Sequence, residues 1–210
     1  MDTSKADVNR LYKPQFSFFG CGYINKQGVA VPQVKPFYDA RLPFEIYRYI
    51  KGGKAKEATL ELRQITDEKE ARRFKVLNFR AFTPAGVFKY RNVHSLFLYN
   101  QLIVIDIDNI SSQKRLHDIR QLLLNDPYFE TELLFVSPSG NGLKWIVYLG
   151  DVRPEEHGHY FRIIADYLRI KYGIIADESG KDICRLCFLP YDPDCYINPA
   201  FTINRNIPKQ

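Results

Sequence analysis

The chain has 210 residues, 45% hydrophobic and 26% charged, with a net charge of +6 and a pI near 9.0. That length supports one large domain or two small ones with a real core, and the composition is that of an ordinary globular protein. The positive balance permits a polyanionic partner without demanding one. No apolar stretch approaches a membrane span, and the N-terminus, Met1-Asp2-Thr3-Ser4-Lys5, lacks a signal peptide's apolar region. The default expectation is a cytoplasmic protein with no membrane partner.

Residues 1–34 read as an N-terminal extension. Its first 14 residues are polar, and from Phe16 to Val34 short aromatic and β-branched pieces are broken by Gly20, Gly22, Gly28 and Pro32, which predicts short strands. Residues 35–100 read as an N-terminal α/β unit. Pro43–Ile50 is a helix stopped by Gly52-Gly53. Glu57–Gln64 and Asp67–Val76 are further helices, the second with Thr66 as its N-cap. Asn78–Tyr90 alternates around Pro84-Ala85-Gly86, a turn between strands.

Residues 101–190 form the core. Leu102-Ile103-Val104-Ile105-Asp106-Ile107-Asp108 is a β-branched, apolar run, so a buried strand is predicted. Ser111 or Ser112 caps a helix to about Leu124, with Leu116, Ile119 and Leu123 on one face. Leu133–Val136 and Leu143–Leu149 are strands joined by Ser137–Gly142. Pro154 opens the longest helix, carried by Tyr160, Ile163, Ile164, Tyr167 and Leu168 and closed by Gly173. Ile183–Leu189 is a last strand, and residues 191–210 read as a C-terminal tail or linker of the kind that fits a fragment of a larger protein. The order β-α-β-β-α-β predicts an α+β fold, an RRM-like split β-α-β antiparallel sheet with helices on one face.

Side chains alternate along a strand, so Asp106 and Asp108 project from one face. Two adjacent carboxylates repel each other and lose hydration, and a hard divalent cation relieves both penalties. A second constellation is Ser139-Gly140-Asn141-Gly142-Leu143-Lys144. Its glycines allow close backbone approach, its amides with a Lys make an anion cradle, and it is not a Walker A loop. Lys144 is expected as a strand-end cation open to a cleft, supporting little packing. The third constellation is an acidic loop, Asp177 to Asp182, running into a strand that holds Arg185. In the split β-α-β order this strand lies beside the Asp106 strand. Asp177 or Asp182 then approaches the pair, and Arg185 reaches a phosphate as a bidentate donor. Cys184 and Cys187, with Cys195, His157 and His159, have partial zinc spacing, but residues i and i+3 of a strand face opposite sides, so reduced core cysteines are expected.

Together these residues resemble the catalytic core of the archaeo-eukaryotic primase superfamily, the primase-polymerases. The resemblance rests on Asp106-x-Asp108, on Ser139-Gly140-x-Gly142-Leu143-Lys144, where that superfamily commonly has Ser-Gly-x-Gly-x-His, and on a later acid before an Arg-bearing strand. The bacterial VirE N-terminal or BT4734-like branch, common in mobile elements, is closer still. It is matched by Ala81-Phe82-Thr83-Pro84-Ala85-Gly86-Val87-Phe88, Arg185-Leu186-Cys187-Phe188-Leu189-Pro190 and Tyr191-Asp192-Pro193-Asp194. The resemblance implies Mg²⁺ or Mn²⁺ on Asp106 and Asp108, with Asp177 or Asp182 as third carboxylate. It implies nucleotide phosphates on Ser139, Gly140, Asn141, Gly142, Lys144 and Arg185. Asp106, Asp108, Asp177 and Lys144 are then the catalytic candidates.

The implied function is a metal-dependent nucleotidyltransferase domain of the DNA primase or polymerase type. Its implied partners are nucleoside triphosphate, single-stranded or primer-template DNA, and a helicase domain in the same or a neighbouring chain. The alternative is a catalytically inactive nucleotide- or DNA-binding module of the same fold, since Lys144 cannot copy an imidazole's geometry. A haloacid dehalogenase-type phosphohydrolase using Asp106-Ile107-Asp108 would need that motif on its first strand and a later strand ending in paired acids, and the sequence has neither.

Overall fold

The computed structural model describes residues 13–37 and 39–202. The first twelve residues of the expected extension and residues 203–210 of the expected tail lie outside the described residues.

Three short strands come first: β1 (Ser17–Phe19), β2 (Tyr23–Ile24) and β3 (Ala30–Val31). Helix α1 (Pro43–Lys51) opens on a proline, whose missing N–H is harmless in a first turn, and Glu45 reaches back to the Leu42 amide at 2.9 Å. Helices α2 (Lys56–Leu62) and α3 (Glu68–Asn78) follow. Asp67, not Thr66, caps α3: its carboxylate accepts the Glu70 amide at 2.8 Å, satisfying an orphan donor of the first turn. Strands β4 (Ala81–Thr83), β5 (Gly86–Phe88) and β6 (Leu96–Tyr99) lead to the core. The core comprises β7 (Leu102–Ile107), α4 (Gln113–Leu124), β8 (Thr131–Val136), β9 (Leu143–Tyr148) and α5 (His157–Tyr172). Two-residue strands β10 (Cys187–Phe188) and β11 (Tyr196–Ile197) complete the chain.

The main sheet is antiparallel in the order β11-β8-β9-β7, and a second sheet runs β1-β4-β10. The α+β class and the β-α-β-β-α order are as expected. Alternation splits the sheet's side chains between two cores. Ile103, Ile105, Ile107 and Trp145 pack with Leu116, Ile119 and Leu123 of α4 and Phe161, Ile164 and Leu168 of α5. Leu102, Val104, Phe135 and Ile146 pack on the opposite face with Phe16, Phe18, Ile46, Ile50 and Phe82. The helices after β7 therefore cover one face, and the N-terminal unit covers the other. Each such buried side chain contributes roughly 2 kcal/mol of hydrophobic stabilisation.

Three local expectations are corrected. On α5 the buried stripe runs through Phe161, while Ile163 is 45% exposed. Ile183–Leu189 is not a strand beside β7: β10 alone is extended, and it pairs with β4. The edge of β7 is met instead by a loop, the Asp177 amide donating to the Asp106 carbonyl at 2.7 Å before a 3₁₀ turn at Glu178–Lys181. Asp182 accepts the Cys184 amide at 2.9 Å, and this local turn chemistry competes with a ladder.

Finally, Tyr191–Thr202 is part of the fold rather than a linker. Tyr196 and Ile197 pair with Leu134 and Leu133. Buried Asp192 accepts the Val136 amide at 2.8 Å and pairs with Arg120 at 3.9 Å. Polar, Pro-containing composition reads as a connection, yet here the polar side chains satisfy the backbone of a neighbouring strand.

Candidate metal and phosphate site

β7 sets the first two carboxylates. Asp106 and Asp108 share the parity of Leu102 and Val104, so they leave the strand on the face covered by the N-terminal unit. Asp177 arrives from the loop after α5, anchored by its amide on the Asp106 carbonyl. Carboxylate oxygens of Asp106, Asp108 and Asp177 all lie within 4.8 Å of one another, and among the described residues this is the group of acidic, His or Cys side chains placed to share an ion. Asp106 is fully buried, Asp177 partly buried and Asp108 exposed. The Asp106 Oδ1 atom is buried without a hydrogen-bond partner. A buried, unsatisfied carboxylate oxygen beside two further carboxylates is a fitting donor set for a hard cation. Asp182, the alternative third carboxylate, is not in this group and caps its own turn at Cys184.

Cations close on the same place. Lys144 is the register partner of Asp106 across β9, and their side chains form an ion pair. It is 7% exposed, which corrects the expectation of a cleft-open cation: the N-terminal unit closes over this face of the sheet. Arg185 places Nη2 at 2.7 Å from Asp106 Oδ2 and 3.5 Å from Asp177 Oδ2. Asp177, Lys144 and Arg185 therefore converge on Asp106 although β10 lies in the other sheet.

The Ser137–Gly142 connection runs beside Asp108. Its ends are tied by the Ser137 amide donating to the Gly142 carbonyl at 2.8 Å, and Gly140 adopts φ +83°, which a glycine takes without strain. A Cβ on Gly142 would stand 2.7 Å from the Ile107 carbonyl and 2.9 Å from Asp108 Oδ1, so only glycine fits there. The Asn141 carbonyl accepts the Ile110 amide at 2.8 Å. Ser139 is exposed, its hydroxyl 3.5 Å from Lys75 Nζ. Arg63 Nε donates to the Pro138 carbonyl at 3.3 Å. Lys75 and Arg63 come from α3 and the end of α2. Sequence reasoning misses both, because a Lys in a helix's last turn is already accounted for by the helix dipole.

The electrostatics follow from crowding. Although Asp108 is exposed as a residue, partial loss of hydration at its carboxyl pushes it up, Asp177 adds to this, and Arg185 and Lys75 only partly oppose it. Burial also acts upward on Asp177, but the Ser179 amide and the Arg185 and Lys144 charges outweigh it, so this carboxyl sits below the usual range. Burial pulls the Lys75 ammonium down, with Asp108 opposing. The same cause pulls Lys144 below an ordinary lysine. The cysteines are free; Cys184, Cys187 and Cys195 are buried, and His157 Nδ1 lies 3.1 Å from the Tyr99 hydroxyl. Among the described residues no Cys or His joins a group placed to share an ion.

The model of the BT4734-like, N-terminal domain family matches residues 76–197, more than half of the chain. The chain belongs to that family. The match takes in Asp106, Asp108, Asp177, Lys144 and Arg185 and stops short of Lys75 and α1. Among solved structures, this BT4734-like domain is similar to the polymerase domain of Mycobacterium tuberculosis ligase D, solved in complex with DNA. Identity is 10%, with 85% of this chain and 68% of that chain covered, at a TM-score of 0.42. No curated protein matches it in sequence.

Proposed function

We propose that this BT4734-like domain binds a nucleoside triphosphate and DNA at a divalent-cation site made by Asp106, Asp108 and Asp177, as a primase-polymerase-type domain serving replication of a mobile element. The observation that carries the reading is the meeting within 4.8 Å of three carboxylates, two from the end of β7 and one from the loop after α5, one of them with an orphaned buried oxygen. Mg²⁺ or Mn²⁺ bound there supplies charge neutralisation and polarises phosphoryl oxygens. Ser139, Gly140, Asn141 and Gly142 offer backbone to the phosphates. Lys75, Lys144 and Arg185 supply the positive field that a triphosphate needs. A helicase domain, in this or a neighbouring chain, is the proposed functional companion.

Calorimetry with a nucleoside triphosphate tests this directly. Binding is expected with Mg²⁺, and expected to vanish in EDTA and in the Asp106→Asn/Asp108→Asn variant. Equal affinity with and without the metal, or no binding at all, would overturn it. Asp106 is already engaged by Lys144 and Arg185, and this favours a second reading in which the domain binds nucleotide or DNA without synthesis. A primer-extension and de novo priming assay with Mg²⁺ or Mn²⁺ separates the two: product identifies a polymerase, and binding without product the module.

A further inference from the structure

A second cationic cluster shares no residue with the carboxylate site. Between β1, α1 and the approach to β4 lies a cavity of about 300 Å³. Phe18, Ile46 and Tyr49 give it an apolar floor, and Arg41, Arg48, Lys54 and Arg80 give it a cationic rim. The acid among its lining residues, Glu45, is already engaged by Arg41 at 3.3 Å and by the Leu42 amide at 2.9 Å. Among the described residues no carboxylate pairs with Arg48, Lys54 or Arg80. Four cations against one acid leave a surplus of three positive charges in one cavity. Like charges held together raise the energy of the folded chain unless an anion joins them.

Two of the guanidinium groups are held in place. Arg41 and Phe16 exchange backbone hydrogen bonds, each of 2.9 Å, and the Arg41 guanidinium stands 5.8 Å from the centre of the Phe18 ring. Arg80 stands 5.9 Å from the same ring, its carbonyl accepting the Leu189 amide at 2.9 Å. One buried ring thus carries two planar forks, and positioned guanidinium forks are the side-chain chemistry that matches phosphate. Tyr49, packed edge-on against Phe18, adds a phenol that burial keeps protonated.

We propose that this cavity is a phosphate-binding site, taking the phosphate of a nucleic-acid strand or of a free nucleotide independently of the metal site. Its volume is at the small end of ligand sites, which suits a phosphate and its immediate ester rather than a whole dinucleotide. Arg41, Arg48 and Lys54 lie outside the residues matched by the family model, so that match does not assign this site.

The test uses the triple variant Arg48→Ala/Lys54→Ala/Arg80→Ala. All three side chains are exposed, and their removal relieves like-charge repulsion, so a melting temperature no lower than the parent's is expected. Two titrations are run in EDTA, which silences the carboxylate site: a labelled single-stranded oligonucleotide by anisotropy across a salt series, and inorganic phosphate by calorimetry. If a strand is the source, oligonucleotide affinity falls at least about tenfold, and the salt slope becomes shallower by about 0.7 for each phosphate that the variant no longer neutralises. If a free nucleotide is the source, oligonucleotide binding stays and the phosphate titration disappears. Either result upholds the site. Identical behaviour of variant and parent toward both probes overturns it. Asp108→Asn, which probes the metal-site reading, is expected to leave both titrations unchanged; a loss there would overturn the independence of the two sites.

Discussion

Lys144 lies directly opposite Asp106 across β7 and β9, and the two form an ion pair with Asp106 fully buried. Taking two charges out of water costs several kcal/mol each, and Arg185, 2.7 Å from the same oxygen, helps to offset that cost. Lys144→Met keeps most of the side-chain volume and removes the charge. It is expected to lower stability by about 3 kcal/mol, the low end for breaking a buried pair, because Arg185 remains. In urea the midpoint should fall with little change in slope. A loss within about 0.5 kcal/mol, the range of surface substitutions, would mean that the pair is not buried in solution.

The three carboxylates should contribute unequally from their neighbours in sequence. Asp108→Asn and Asp177→Asn are each expected to weaken Mn²⁺ binding by at least about tenfold, since even the loss of an outer-shell partner of a metal costs that much. Asp182→Asn should leave affinity within about twofold, because its carboxylate lies outside the group placed to share an ion. Titration followed by the Mn²⁺ paramagnetic resonance signal reads this. A larger loss from Asp182→Asn than from Asp177→Asn would reverse the assignment.

Gly142→Ala tests the loop. The added Cβ meets the Ile107 carbonyl and Asp108 Oδ1 at 2.7 and 2.9 Å, and neither the strand backbone nor a carboxylate held in the proposed metal site can yield freely. The variant is expected to lose about 1–3 kcal/mol of stability, within the range typical of single substitutions that force a local shift. Its Mg²⁺-dependent triphosphate binding should fall with it. Unaltered stability and binding would show that Gly142 does not approach Asp108.

His157 gives the protein an acid-sensitive term. Burial pulls its imidazole down to about 4, against about 6.5 in an unfolded chain. Between those values the unfolded state binds the extra proton. The contribution is therefore complete above pH 6.5 and is lost as pH falls toward 4, by about 3 kcal/mol at most. His157→Gln should flatten the stability profile across that window while keeping a partner for the Tyr99 hydroxyl. Denaturation midpoints measured at several pH values would show a parallel profile if some other group were responsible.

Some of this site is legible in the sequence. Asp106 and Asp108 are, because period-two alternation is a local rule that needs no knowledge of the rest of the chain. The position of Lys144 on the same face follows from the same parity. Its burial does not, because that depends on Phe16, Phe18 and Phe82 closing over the sheet from far away in sequence. Asp177 and Asp182 cannot be told apart from composition. Both sit in one Asp-, Ser- and Gly-rich turn, each carboxylate accepts the amide two residues on at 2.9 Å, and the choice depends on which of them the edge of β7 holds beside Asp106. Lys75 gives no signal at all, since helix ends favour cations anyway. The tail misleads for a related reason: Asp192 reads as loop polarity, and only the fold shows it accepting the Val136 amide.

The loop that takes the place of a strand at the edge of β7 ties the third carboxylate to the sheet by a register of its own. Asp106 and Asp108 are locked to the strand's parity, and a one-residue slip would turn both toward α4 and α5. Asp177 hangs from β7 by its amide, and before it Ile174 and Ala176 are buried with α4 and α5 while Ile175 is exposed, so a residue gained or lost between Gly173 and Asp177 would unseat those side chains as it moved the carboxylate. All three acids are therefore fixed by alternation, two along β7 and one along the segment that runs beside it.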